Sequence, residues 1–195
     1  VEDVERGTQL RARARRLYLR ARRYGLRALE LSYPATAQKL ETEPRAAVAA
    51  VRKKDVPLLY WNAAALGLAI SNSRHDAELL ARLPEVEALM ERALELHESW
   101  EEGALHELQV VYAGTRPGAA PPDVAHIRKH FERALELSRG RRASVYVAYA
   151  EAVSVRAQNR GEFESLLEKA LAIDPDQHEE VRLLNLIAQG RARWL

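Results

Sequence analysis

Arg92-Ala93-Leu94-Glu95-Leu96 decides the fold, because the same five residues recur at Arg27–Leu31 and at Arg133–Leu137. A looser copy follows at Lys169-Ala170-Leu171-Ala172-Ile173. From Arg92 to Arg133 is 41 residues, and from Arg133 to Lys169 is 36. The step from Arg27 to Arg92, 65 residues, leaves room for two units with the middle one degenerate. Such intervals fit a two-helix unit of about 34 residues with loop insertions. One Ala-Leu-Glu-Leu string would mean little, since all three residues favour any helix. Its recurrence argues for helix pairs stacked along the chain.

The residues around the copies carry the same period. Phe131 stands three before Ala134, where a tetratricopeptide pattern takes a bulky residue before its small one. Pro175 stands five after Ala170, where that pattern ends its second helix. Alanine lets neighbouring helices approach, the bulky residue fills the groove between them, and proline cannot continue a helix. The expected fold is all-α: a right-handed helical-repeat solenoid of degenerate tetratricopeptide-like helix pairs. It begins with a long N-terminal helix, closes with a C-terminal capping helix, and takes residues 1–195 as a single domain.

Composition agrees. Only nine glycines and two phenylalanines occur among 195 residues, and Ala, Leu, Arg and Glu dominate. That is a helix-forming mixture, long enough for one sizeable core. The formal net charge of +2 creates no global field that demands a nucleic acid. The absence of cysteine excludes disulfides, thiolate catalysis and cysteine metal sites. No apolar run reaches the eighteen or more residues of a membrane-spanning helix. The start at Val1, followed by Glu2 and Asp3, reads as a trimmed mature region.

Spacings of three and four predict a helix over about 3–32, broken at Tyr33-Pro34. Shorter pieces follow at 35–40 and 44–51. Asp55-Val56-Pro57 reads as an N-cap with proline just inside the next helix. That helix, Leu58 to Ile70, carries no charge, so protein must surround it or it must line a sheltered cavity. Pro84 opens a helix ending on the second pentapeptide. Further helices are predicted at 100–113, 123–138, 143–155, 163–173 and 179–194. The Thr115–Pro122 stretch is the clearest loop and a candidate edge of a binding face.

Chemistry-bearing motifs are sparse. Nine arginines crowd the first helix, from Arg6 to Arg27. Such a helix can sit on phosphates or an anionic bilayer, or be a solvated face, and its tyrosines do not alternate as a base-stacking platform requires. His106-Glu107 opens like a helical zinc-protease motif, but Val110 occupies the second histidine's place. His126 and His130 have metal-ligand spacing, yet Arg128 and Lys129 lie between them, and they read as a surface pair. No nucleophile elbow or phosphate-binding glycine loop is present. No catalytic residue, metal ligand or cofactor is assigned, and the chain is read as not an enzyme.

Three helices carry the candidate binding residues. They offer Tyr60, Trp61 and Asn62; then His106 and Glu107; then Arg142, Tyr146 and Glu151. First helices of repeat units usually line the concave face of a solenoid. These side chains therefore either line one groove or channel, or pack between helices with a satisfied polar tip.

The strings Asp55-Val56-Pro57-Leu58-Leu59-Tyr60-Trp61-Asn62, Gly103-Ala104-Leu105-His106-Glu107-Leu108, His130-Phe131-Glu132-Arg133-Ala134-Leu135 and Gly140-Arg141-Arg142-Ala143-Ser144 resemble the T component of TRAP transporters. The resemblance runs in order from about Tyr18 to Leu195. It implies a periplasmic lipoprotein built of degenerate tetratricopeptide units, associated with the solute-binding protein of a TRAP uptake system. It also implies a homotrimer whose protomers hold a channel-like cavity for a hydrophobic or organic-acid ligand. The lipid anchor would belong to the full-length precursor. Val145, Ala148 and Arg156 depart from the family's strip. The other reading is a cytoplasmic tetratricopeptide scaffold that binds a peptide or an acidic protein through the arginine-rich helix.

Overall fold

Proline starts, aspartate and asparagine caps and one glycine stop set several of the helix boundaries. The computed structural model describes residues 2–116 and 123–195. Eleven α-helices lie among them: α1 Glu2–Glu30, α2 Thr36–Thr42, α3 Pro44–Val48, α4 Val56–Ser71, α5 Ala77–Leu80, α6 Leu83–His97, α7 Ala104–Thr115, α8 Val124–Ser138, α9 Ala143–Tyr149, α10 Arg160–Ala172 and α11 Arg182–Trp194. The described residues contain no strand, so the fold is all-α. Residues 117–122 of the Pro-rich loop lie outside the described residues.

Pro44, Pro57 and Pro84 each occupy the first turn of a helix, where the missing N–H costs nothing. Asp55 does not act as the side-chain cap that its position suggests. Its Oδ2 instead accepts from the Tyr33 hydroxyl at 2.6 Å, and that hydroxyl accepts from the Arg52 amide at 3.1 Å. The break after α1 is thereby tied to the start of α4. Asp123 and Asn159 do cap α8 and α10, through the amides of His126 and Glu162. Arg139 and Gly140, both at positive φ, end α8. Sequence periodicity does not reveal α5, a single turn capped by Asp76.

The chain forms two compact units, one ending at Glu98 and one beginning at Ser99. In the first, α4 packs between α1 and α6, and α3 lies on α6. The uncharged α4 buries Leu59, Ala63, Leu66, Ala69 and Ile70 completely or nearly so. Two helix contacts leave it little solvent, as its composition requires. Where α1 passes α4, a Cβ on Gly25 would lie 2.6 Å from the Asn62 side-chain Nδ2, so any larger residue there must displace the Asn62 side chain.

In the second unit, α7 pairs with α8, and α9, α10 and α11 pack on one another. The core combines Val110, Ile127, Val147, Tyr149, Leu166 and Ala170, with Phe131 against it. The pentapeptide alanines Ala93, Ala134 and Ala170 are fully buried, which is the packing role their size suits. In α1 the adjacent Leu29 takes that place. Asn185 and Gln189, both buried, turn the polar side of α11 inward. Asn185 accepts from the Ala143 amide and donates to the Arg141 carbonyl, both at 2.9 Å. Gln189 donates to the carbonyls of Ala170 at 3.1 Å and Ile173 at 2.6 Å. Two amides thus satisfy the start of α9 and the end of α10. Leu183, Ile187 and Trp194 are left on the exposed side of α11.

Candidate functional site

In the first unit the three candidate residues point to different surroundings. Asn62 is fully buried; its Nδ2 donates to the Leu58 carbonyl at 2.7 Å, and its Oδ1 has no partner. It belongs to the crossing of α1 and α4. Trp61 is 62 % exposed on a helix that is otherwise largely buried. Tyr60 is half-buried and meets Trp61 edge-on at 5.0 Å. Tyr60 and Trp61 are therefore together, and Asn62 stands apart from them.

The second unit brings its candidates around a strained turn. Glu101, Glu102 and Gly103 all have positive φ, at 45°, 53° and 91°. Two successive glutamates in the left-handed region are costly, at roughly 1–3 kcal/mol each. Two arginines hold them. Arg141 forms an ion pair with Glu102 and a longer one, 3.4 Å, with Glu180. Arg142 donates through Nη1 to the Glu101 carbonyl at 3.3 Å. Its Nη2 and Nε reach Glu107 Oε2 at 2.9 and 3.1 Å. Gly103 completes the turn, because a Cβ there would lie 3.1 Å from Leu137 Cβ and 3.2 Å from Ala134 Cα. The small alanine of the third pentapeptide makes that approach possible.

Arg142 is buried with all three nitrogens engaged, so it positions Glu107 and the turn; an incoming anion would have to displace Glu107. Tyr146 is half-buried, edge-on to Phe131 at 6.2 Å. Burial raises its hydroxyl above the ordinary tyrosine value. Glu151 pairs with Arg191, whose guanidinium also lies 4.4 Å over the Trp194 ring. Glu151 therefore faces the side of α11 rather than the turn.

His106 is buried, and its Nδ1 lies 2.8 Å from His130 Nδ1. One ring must carry a proton on that nitrogen and the other must not. His126 meets His130 edge-on, with ring centroids 4.7 Å apart. The expected surface pair of His126 and His130 is thus part of a three-ring row reaching from α8 to α7. No group of three or more His, Cys, Asp or Glu side chains among the described residues is arranged to hold a metal ion.

Sequence reasoning missed two features. One is a cleft of about 500 Å³ in the first unit, lined by Leu40, Pro44, Ala81 and Pro84 with Glu41, Glu78, Arg82 and Glu85. The other is the ion pair behind it, between the buried side chains of Arg22 and Glu85. Burial lowers the Arg22 guanidinium below its ordinary value, opposed by Glu85. Arg82 also donates to Glu85, at 2.6 Å. Nothing local marks residues 63 apart as partners. Only the place of Arg22 between Leu19 and Leu26 on the inward side of α1 hints at it.

No helix among the described residues is long and apolar enough to cross a membrane. The family model of the TRAP transporter T-component matches residues 1–195, the whole chain. An uncharacterized protein of Treponema pallidum (strain Nichols) is 28 % identical over 198 residues. That match takes in all of this chain and 61 % of the relative, so the chain spans less than two-thirds of the relative's length.

Proposed function

This chain belongs to the TRAP transporter T-component family, and on that premise we propose that it serves a TRAP-type transport system as a non-enzymatic periplasmic accessory subunit. It binds the system's solute-binding protein, and it shelters or passes a hydrophobic or organic-acid ligand. Residues 1–195 act as one domain of degenerate tetratricopeptide-like helix pairs. The chain assembles as a homotrimer, and its full-length precursor carries a lipid anchor.

The observation that carries the partner reading is Trp61. A tryptophan 62 % exposed on an uncharged, otherwise largely buried helix loses little by leaving water and gains a large contact area. Tyr60 supports it from the side. In the second unit, the turn held by Arg142, Glu107 and Arg141 fixes polar groups in place, with His106 on the same helix as Glu107 and Tyr146 on the same helix that Arg142 precedes; Glu151 stands apart on the side of α11. That is the kind of preorganised polar set that orients a bound organic acid.

The test is titration with a purified solute-binding protein of a TRAP system from the same source. We expect a Kd in the micromolar range or tighter, weakened about tenfold by Trp61→Ala with the melting temperature unchanged. Absence of binding at about 100 µM, with both proteins folded, would sink the partner reading. Sedimentation equilibrium tests the trimer.

A further inference from the structure

We propose that the outer stripe of α1 is a docking seam for an amphipathic helix with acidic flanks, supplied by another protein. The proposal rests on α1 alone and stands apart from the role given to Trp61.

Leu10, Leu17, Tyr24 and Leu31 recur every seven residues, Leu31 lying just past the helix end. They are 55 %, 54 %, 52 % and 88 % exposed. Ala14, Ala21 and Ala28 alternate with them, also seven apart. Large and small apolar residues in a strict heptad form the seam of a two-helix pairing, with the alanines allowing close approach. The seam runs for three heptads, roughly 31 Å at 1.5 Å per residue. It is not the face that meets α4, which uses Gly25 and Leu29. The N-terminal third of α1 has no shelter: residues 3–13 are exposed apart from Gly7. A helix of that length is marginal alone in water, so covering it is favourable.

Charge selects the occupant. Arg6, Arg13, Arg20 and Arg27 also recur every seven residues, beside the seam and exposed. None of the four enters an ion pair among the described residues; Arg20 only overlies the Tyr24 ring, at 5.8 Å. On the other flank stand Arg11, Tyr18 and Gly25, with no carboxylate. An antiparallel second copy of α1 would set arginine against arginine, and a parallel copy would find no acid. A partner helix with glutamate or aspartate beside its apolar stripe satisfies the row. The seam is one side chain wide and lacks tryptophan, which suits a helix better than the broad face that enters a bilayer.

The experiment uses the full chain and two synthetic peptides. Both are helical with leucine heptads, one flanked by glutamates and the other by lysines. Anisotropy should give the glutamate peptide a Kd of tens of micromolar or tighter, at least about tenfold better than the lysine peptide. Leu17→Ser should abolish binding, and R13E with R20E and R27E should reverse the preference. All four positions are solvent-exposed, so the circular dichroism should be unchanged; if the triple variant loses helix, Leu17→Ser alone decides. Equal binding of both peptides would overturn the proposal. So would indifference to Leu17→Ser, no binding at about 100 µM, binding to phosphatidylglycerol vesicles alone, or self-association that Leu17→Ser removes.

Discussion

Gly114 and Gly190 both lie inside helices, and the same substitution should move stability in opposite directions at the two. A Cβ on Gly114 would sit 2.5 Å from Ala152 Cβ and 2.8 Å from Ala152 Cα. Backbone cannot step aside cheaply, so Gly114→Ala should cost about 1–3 kcal/mol despite its better helix propensity. A Cβ on Gly190 meets nothing within 4 Å, and Gly190→Ala should stabilise by up to about 1 kcal/mol. Urea unfolding of the two variants checks both signs. Glu85→Gln leaves the buried Arg22 without its carboxylate and should cost roughly 3–5 kcal/mol by the same measurement. Tyr149 carries a pH prediction. Its hydroxyl is buried without a hydrogen-bond partner, and burial raises its pKa above the ordinary value, with Arg128 opposing. An acid with a raised folded-state pKa contributes stability while protonated. That contribution is present below the unfolded value of about 10 and is lost as pH rises through the folded one. Tyr149→Phe should remove this alkaline loss and be neutral or slightly stabilising at pH 7.

Helices behave as the sequence predicts where one face alone decides them. The uncharged stretch of α4 can exist in water only between partners, and it lies between α1 and α6. The helix predicted over 143–155 is instead α9 followed by a π-helical turn at Ala150–Ser154, which carries Ala152 onto Gly114. No residue in that run is a helix breaker, so periodicity cannot show the change of winding. The closing helix was legible in extent and not in orientation. Its leucines suggest the inward face, but the unpaired backbone groups at the start of α9 and the end of α10 recruit Asn185 and Gln189. Asn185→Ala should therefore cost about 2–4 kcal/mol, since it strands a buried N–H and a carbonyl together. Substituting the exposed Leu183 should change stability by less than about 0.5 kcal/mol. Thermal melts of the pair distinguish an anchoring amide from an anchoring leucine.

For the whole chain, thirty basic residues nearly balance twenty-eight acidic ones, and the imbalance is concentrated in α1. Most ion pairs are surface pairs that salt screens at little cost. Raising sodium chloride from about 0.05 to 0.5 M should leave the melting temperature within about 3 °C, while weakening whatever α1 holds by about tenfold. The sequence by itself determined the all-helical class, the place of most helices and the family. Those follow from local causes: spacing, proline, glycine, and strings specific enough to carry a resemblance. It also held the arginine and leucine heptads of α1, although their solvation was not legible. Tertiary structure alone decided that Arg22 meets Glu85, that His106 meets His130, that Arg142 is spent on Glu107 and the Glu101 carbonyl, and that Asn62 is walled in by Gly25. Each of these joins residues far apart in the chain. Which polar group finds which is set by how close two backbones can pack, and that distance is not written in either local sequence.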